Sequence, residues 1–259
     1  TPDGLRLRLC ERGEGPAIVL VHGWKMSHRV WDRVIAALED RFRVVAFDLR
    51  GMGESEKPDC RYDFDELSDD LGAVLEQLGL EDVTLVGWSM GCTVSLEYVR
   101  RNGARVGRLV LVNGPLRLTR TDDFPFTMTQ AELDEYVDAV ASRWPDDELA
   151  FTQAAFHEPL PQVVDWIYSI ALQTPLDVVL KTVRAQALLD HRDLLATLDL
   201  PVLAVYGAAD PYYPTELAAY IAERAPRGEA VVLERSGHFP FLEADTQRFV
   251  EALEGFSSR

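Results

Sequence analysis

Three things are scarce in this sequence. Its 259 residues include three cysteines, Cys10, Cys60 and Cys92. They lack metal-ligand spacing and are too few for a disulfide framework, which excludes a metal-stapled or disulfide-scaffolded fold. Reduced thiols of a cytoplasmic chain are the expectation, with one disulfide and one thiol left over as the alternative. No apolar run reaches membrane-spanning length, and no signal-peptide pattern is present. Positive charge is the third shortage: 26 Lys and Arg face 43 Asp and Glu, a formal net charge of −17. Such a field repels phosphate backbones and anionic lipid surfaces, so neither nucleic acid nor a membrane is an expected partner. Internal repeats and low-complexity tracts are also missing.

A hydrophobic fraction of 47% is ample for one core of this size. Short β-branched runs at Ala17–Val21, Val44–Phe47, Val83–Val86, Leu109–Val112, Val202–Tyr206 and Val231–Leu233 read as strands buried on both faces, hence a mostly parallel sheet. Between them, Val30, Trp31, Val34, Ile35 and Leu38 form one helical apolar stripe, and Leu67, Leu71, Val74, Leu75 and Leu78 another. This alternation predicts a doubly wound α/β architecture. The rhythm stops between Pro115 and Leu198, where no strand is evident and roughly four helices are expected, one opened by the capping box Thr129-Gln130-Ala131-Glu132. The expected division is core over 1–114, helical cap over 115–198 and core again over 199–259. Asp3-Gly4 before the alternating Leu5-Arg6-Leu7-Arg8-Leu9 is a hairpin-type signal, implying a partner strand upstream of Thr1, and a trimmed leader is compatible with a first residue other than methionine.

The pentapeptide Gly87-Trp88-Ser89-Met90-Gly91 lies between the strand Val83–Val86 and a helical segment running from Cys92 to Arg101. G-x-S-x-G in that context places a serine on a tight strand-to-helix turn, with glycines where a side chain would strike neighbouring backbone. A serine hydroxyl is a poor nucleophile and needs a base and an orienting acid. Of five histidines, His238 follows a strand within Ser236-Gly237-His238-Phe239-Pro240; His28, His157 and His191 fall on helical or cap segments and read as ordinary surface or core residues. Asp210 follows another strand in Gly207-Ala208-Ala209-Asp210-Pro211. Both positions are carboxyl ends of strands, where open α/β sheets collect their functional groups. The order Ser89, Asp210, His238 is nucleophile, acid, base. Oxyanion donors are expected from the backbone N–H groups of Trp24, in His22-Gly23-Trp24, and Met90. His22 is expected to be structural.

Together with Asp48-Leu49-Arg50-Gly51-Met52-Gly53-Glu54-Ser55, these segments make the whole chain resemble the α/β-hydrolase superfamily. Trp24 and Trp88-Ser89-Met90 are similar to its cofactor-free haloperoxidase and aryl-esterase branch. The resemblance implies a central sheet with an inserted cap, no cofactor and no metal, and an acyl-enzyme mechanism on an ester, lactone or thioester of a small, largely apolar molecule. Lys25 stands where members of that branch often carry proline, a residue associated with perhydrolysis, which favours ordinary hydrolysis. Lys25 is read as solvated, with attraction of an anionic substrate group at the pocket mouth as the alternative. Haloalkane dehalogenases and epoxide hydrolases of this fold use aspartate, so Ser89 argues against both. The cap aromatics Phe124, Phe126, Trp144, Phe151, Phe156, Trp166 and Tyr168 are available to line a pocket; Lys25, Trp88, Phe124, Trp144, Trp166 and Phe239 are the candidate substrate contacts. C–C cleavage, lyase or acyltransfer chemistry on the same triad, and a triad-retaining small-molecule receptor, are the alternatives. Oligomeric state stays open.

Overall fold

A computed structural model describes Thr1 and residues 3–259. Its centre is a seven-stranded sheet. The strands are β1 (Leu9–Arg12), β2 (Ala17–Val21), β3 (Arg43–Phe47), β4 (Val83–Trp88), β5 (Val106–Val112), β6 (Val202–Gly207) and β7 (Gly228–Leu233), in the spatial order β1-β3-β2-β4-β5-β6-β7. All neighbours pair in parallel except β1 and β3, which are antiparallel. The expected alternation of the Leu5 to Leu9 stretch is displaced: pairing begins only at Leu9. Residues before it run beside the loop after β3, where Arg8 O accepts from Asp48 N–H at 2.8 Å and Arg6 O from Glu56 N–H at 3.1 Å.

The interior strands read as unbroken apolar runs because both faces are covered; at the edge, Val231 and Val232 of β7 are only half-buried and Glu229 and Ala230 are exposed, so the expected burial on both faces does not hold there. Successive β2 side chains go to opposite sides of the sheet: Val19 and Val21 join one buried cluster, Ile18 and Leu20 the other. The first cluster is closed by helices α2 (Phe64–Gln77) and α3 (Met90–Asn102), through residues such as Leu67, Leu71 and Val94. The second is closed by α1 (Asp32–Leu38), through Val34 and Ile35. Each such side chain contributes about 1.5–3 kcal/mol on full burial. Helix α2 begins where the Asp63 side chain accepts the Glu66 N–H, a local start signal that the sequence supplies itself.

Between β5 and β6 the chain forms α4 (Gln130–Arg143), α5 (Glu148–Ala154), α6 (Pro161–Ala171), α7 (Leu176–Gln186) and the single-turn α8 (Arg192–Leu195), five helices where roughly four were expected. The capping box at Thr129 and Glu132 forms as read, and proline occupies the first turn of α6. Helices α9 (Thr215–Arg224) and α10 (Thr246–Ser257) complete the layers; α9 adds Leu217 and Ile221 to the first cluster, and α10 adds Phe249 and Leu253 to the second. Among the described residues no single helix is long and apolar enough to cross a membrane.

The strand order reverses direction between β2 and β4, so their following loops part and leave a crevice at the carboxyl edge of the sheet. The turn after β4 fits there only because two residues have no side chain. A Cβ on Gly91 would sit inside van der Waals contact of Val21 O and 2.7 Å from His22 O, and one on Gly87 would lie 2.6 Å from the Gly91 carbonyl carbon. Both constraints come from backbone that cannot swing aside. Gly91→Ala is therefore expected to destabilise the protein by about 2 kcal/mol, the cost of overpacking a filled site, and to lower Tm by roughly 4–8 °C. A thermal melt unchanged from wild type would contradict this.

Candidate active site

Ser89 sits at the apex of the turn from β4 into α3 with φ 54° and ψ −121°. That left-handed conformation is costly for a residue with a Cβ, and the surroundings impose it. Ser89 N–H donates to Val112 O at 2.9 Å, and Ser89 O accepts from Cys92 N–H at 2.9 Å. The turn thus holds the hydroxyl clear of the backbone and aimed into the crevice.

His238 Nε2 lies 3.0 Å from Ser89 Oγ, and its Nδ1 lies 2.9 Å from Asp210 Oδ2. Three loops far apart in sequence, after β4, β6 and β7, bring these groups into one hydrogen-bonded line. Asp210 is oriented by its own turn, since Oδ1 accepts the Tyr212 N–H at 2.8 Å. The base loop is held more heavily. Trp88 Nε1 donates to His238 O at 2.7 Å, His238 N–H donates to Ala155 O at 2.8 Å, and Glu243 Oε1 accepts the Gly237 N–H at 2.9 Å. With Nδ1–H directed at the carboxylate, Nε2 is left as an acceptor for the serine proton.

Two of these supports were missed by sequence reasoning. Asn113, fully buried at the end of β5, donates from Nδ2 to Gly237 O and accepts the Gly207 N–H at Oδ1, both at 2.9 Å. One amide thereby ties the loop that carries Asp210 to the loop that carries His238. Its only signal was Asn113-Gly114 at the end of a strand, which reads as a plain turn. Glu243 had no signal at all, because its partners are backbone N–H groups of a loop whose course the sequence does not disclose.

His22 holds the opposite wall. Its Nδ1 lies 2.8 Å from Gly23 O, and Nε2 accepts the Leu49 N–H at 3.0 Å. Complete burial drives its pKa down to about 4, so it is neutral and fixes the loop rather than moving protons. The Trp24 N–H has no protein acceptor among the described residues. Met90 opens α3, so its N–H is one of the orphan donors of a helix start. Both groups are free to meet a developing negative charge.

Residues 16–245 match the family described as alpha/beta hydrolase fold. The chain belongs to that family. A pimeloyl-[acyl-carrier protein] methyl ester esterase of Nitrosomonas europaea is 30% identical over 249 residues, covering 93% of this chain and 96% of the relative. Non-heme chloroperoxidase CPO-A1 of Kitasatospora aureofaciens is 29% identical over 272 residues, covering 100% of this chain and 98% of the relative. The solved esterase of Exiguobacterium antarcticum superposes with a TM-score of 0.94 at 26% identity, covering 99% and 97% of the two chains. The protein is an α/β-fold hydrolase enzyme.

In this hydrolase a cavity of about 210 Å³ opens onto Ser89 and His238. Of the six side chains expected to contact substrate, Lys25, Trp88 and Phe239 line it, as does Phe151 from the wider set of cap aromatics. Three do not. Phe124 packs edge-on to Phe126 and Tyr220 at 5.0 and 5.3 Å, filling the core beneath the cap. Trp144 lies behind Lys25 and lines a separate depression with Val140 and Arg143. Trp166 packs against the core cluster from α6. The walls come instead from Tyr136, Met128, Leu133, Tyr212 and Tyr213. Burial raises the phenols of Tyr136, Tyr212 and Tyr213, so they line the cavity as neutral groups.

Lys25 corrects the reading of a solvated side chain. It is 1% exposed and its Nζ lies 2.6 Å from Glu148 Oε2 on α5. Burial lowers its pKa, and the Glu148 carboxylate opposes that by favouring the charged form. Its charge is answered within the protein, so it offers no free positive site at the pocket mouth. His28 and His191 are buried with carboxylate partners, Asp48 and Glu97, and neither lines the cavity.

His22 makes stability depend on pH. Its folded pKa lies below the ordinary histidine value, so between the two the unfolded chain binds the extra proton and stability falls as pH falls. From pH 7 to pH 5 the loss from His22, with its pKa of about 4, is about 2 kcal/mol. Urea midpoints at pH 7, 6 and 5 read it, and a His22→Gln variant is expected to show a flatter slope. Equal slopes would show that His22 is not the group involved.

Proposed function

We propose that the protein is a serine esterase acting on small, uncharged carboxylic esters, with lactones and thioesters as chemically equivalent substrates, through an acyl-enzyme. The observation that carries this reading is the continuous line from Ser89 Oγ through His238 to Asp210 at 3.0 and 2.9 Å. Ser89 attacks the carbonyl carbon as its proton passes to His238 Nε2. Asp210 keeps the imidazole in the required tautomer and stabilises the imidazolium. The oxyanion is received by the Trp24 and Met90 N–H groups. Collapse expels the alcohol, which takes the proton from His238; water then repeats the sequence and releases the acid. Residues 115–198 serve as the cap that supplies pocket walls, on a core made of 1–114 and 199–259.

Substrate class follows from the cavity lining. It is largely apolar and aromatic, and its one buried cation is already paired with Glu148. An anionic acyl group would enter without a counter-charge, a costly transfer. Relatives named as an esterase and as a chloroperoxidase fit the same acyl chemistry, the second if hydrogen peroxide replaces water on the acyl-enzyme and leaves as the peracid.

Ser89→Ala is expected to abolish fluorophosphonate labelling and to cut turnover of p-nitrophenyl acyl esters by roughly 10⁶-fold. Asp210→Asn, which leaves the geometry in place but favours the wrong tautomer, should cost roughly 10⁴-fold in kcat. Persistence of labelling or turnover in Ser89→Ala would overturn the reading.

A further inference from the structure

Helix α5 is two turns long, yet it touches both walls of the candidate site. At its first residue, Glu148 receives the Lys25 ammonium at 2.6 Å, with side chains 1% and 4% exposed. At its end, Ala155 O accepts the His238 N–H at 2.8 Å. Lys25 directly follows Trp24, whose N–H is the first oxyanion donor. A single helical strut therefore stands between the oxyanion loop and the base loop.

Stability does not account for the ion pair. Removing two charges from water costs about as much as their attraction returns, and apolar replacements of buried pairs are often neutral or stabilising. The pair is nonetheless tightly enclosed: Lys25 Nζ lies 4.2 Å from the ring centres of both Trp24 and Phe151, and Thr152 Oγ1 is 3.4 Å from the other Glu148 oxygen. Lys25 also has φ 64°, a left-handed conformation that glycine adopts without strain and lysine does not. Strain at this position is sustained by an anchored side chain. The Trp24 indole is fixed independently, since Nε1 donates to Val179 O at 3.1 Å and Thr182 Oγ1 at 3.0 Å on α7. Trp24 is thus clamped by its ring on one cap helix and by its neighbour on another.

We propose that Lys25 and Glu148 are positioning residues, whose buried pair aims the Trp24 N–H at the oxyanion and, through α5, sets its distance from His238. The proposal rests on the esterase reading above. It makes the pair matter to the transition state and not to ground-state binding, because the ester carbonyl becomes a full acceptor for that N–H only as negative charge develops.

The test compares wild type, Glu148→Gln and the double variant Lys25→Met/Glu148→Gln, in which no charge is left buried and unpaired. Each is assayed for kcat and KM on p-nitrophenyl acetate. Each is also assayed for binding of an alkyl trifluoromethyl ketone, to which Ser89 Oγ adds while its proton passes to His238, and of the matching non-fluorinated ketone, which stays unreacted. The expected result is a kcat loss of roughly 10–100-fold with KM little changed. Affinity for the trifluoromethyl ketone should fall by the same factor, with the plain ketone unaffected. Glu148→Gln leaves the Lys25 ammonium without its counter-charge, so its kcat should also fall below wild type. A double variant that melts cooperatively and retains wild-type kcat overturns the proposal. So does one with raised KM and unchanged kcat, which would make the pair a substrate contact. If only Glu148→Gln folds, wild-type kcat in that variant overturns it equally. Wild-type protein that takes up no fluorophosphonate at Ser89 and hydrolyses no ester defeats the esterase reading itself, whatever the Lys25 variants do.

Discussion

The close approach of the β4–α3 turn to the end of β2 is the constraint on which the rest of the site depends. Gly91 lies against the carbonyls of Val21 and His22, and a Cβ on Gly23 would stand 3.0 Å from the Ser89 Cβ. Nothing larger than hydrogen fits at Gly91 without moving backbone, and at Gly23 a side chain would press on Ser89 and Trp88. In consequence, the loop bearing the Trp24 N–H and the turn bearing Ser89 share one surface, and close backbone packing limits how far the Ser89 hydroxyl can stand from that N–H. Under the proposed mechanism, the Ser89 hydroxyl and the Trp24 and Met90 N–H groups are in place before any substrate arrives, which is the condition under which fixed dipoles stabilise developing charge without reorganisation.

Hydrogen bonds then hold the mobile partners to that rigid pair. The base is on a loop, and loops drift unless their backbone groups are engaged. Here the segment around His238 is held by Asn113, Trp88, Ala155 and Glu243, which come from β5, β4, the end of α5 and the loop before α10. Four independent tethers make the imidazole position a property of the whole sheet edge. The helices between β5 and β6 are among them, so this segment both lines the cavity and holds the His238 loop.

Much of this was legible in the sequence, and the boundary follows the range of the interactions involved. The five interior strands announced themselves because a strand buried on both faces has no polar positions to interrupt its run, whereas the edge strand β7 showed only its apolar end, Val231–Leu233. Ser89, Asp210 and His238 were legible because each sits in a strand-end loop with its own local grammar. Lys25 was misread, since the side chain that neutralises it is 123 residues away on α5 and periodicity carries no information about such a pairing. The same limit explains Phe124, Trp144 and Trp166: an aromatic on a helix has either a core or a pocket to face, and only tertiary packing decides. Tyr136, Tyr212 and Tyr213 became pocket walls for the same reason, and they lay outside the expected set because tyrosines near a turn or on a polar helix have ordinary surface roles.

Buried charge is concentrated where the loops of the carboxyl edge meet. Asp48 accepts from His28 and Glu54 backbone N–H groups at 2.6 and 2.7 Å, and Arg50 meets Asp70 twice at 2.6 Å. Glu97 joins His191 at 3.1 Å, anchoring the segment that leads back from the cap to β6. Such pairs add little net stability, but each has a narrow range of acceptable geometry, and a displaced partner leaves an uncompensated charge. An apolar contact tolerates sliding, whereas a buried ion pair does not. That difference explains why irregular segments, which lack the ladders of strands and helices, are tied by ionic contacts to neighbouring helices, as Arg50 is to Asp70 on α2 and His191 to Glu97 on α3, while the strands carry almost none. The outward surface charge of this acidic protein and its interior charge thus answer to different physics: the first governs which molecules approach, the second fixes how the irregular segments are seated.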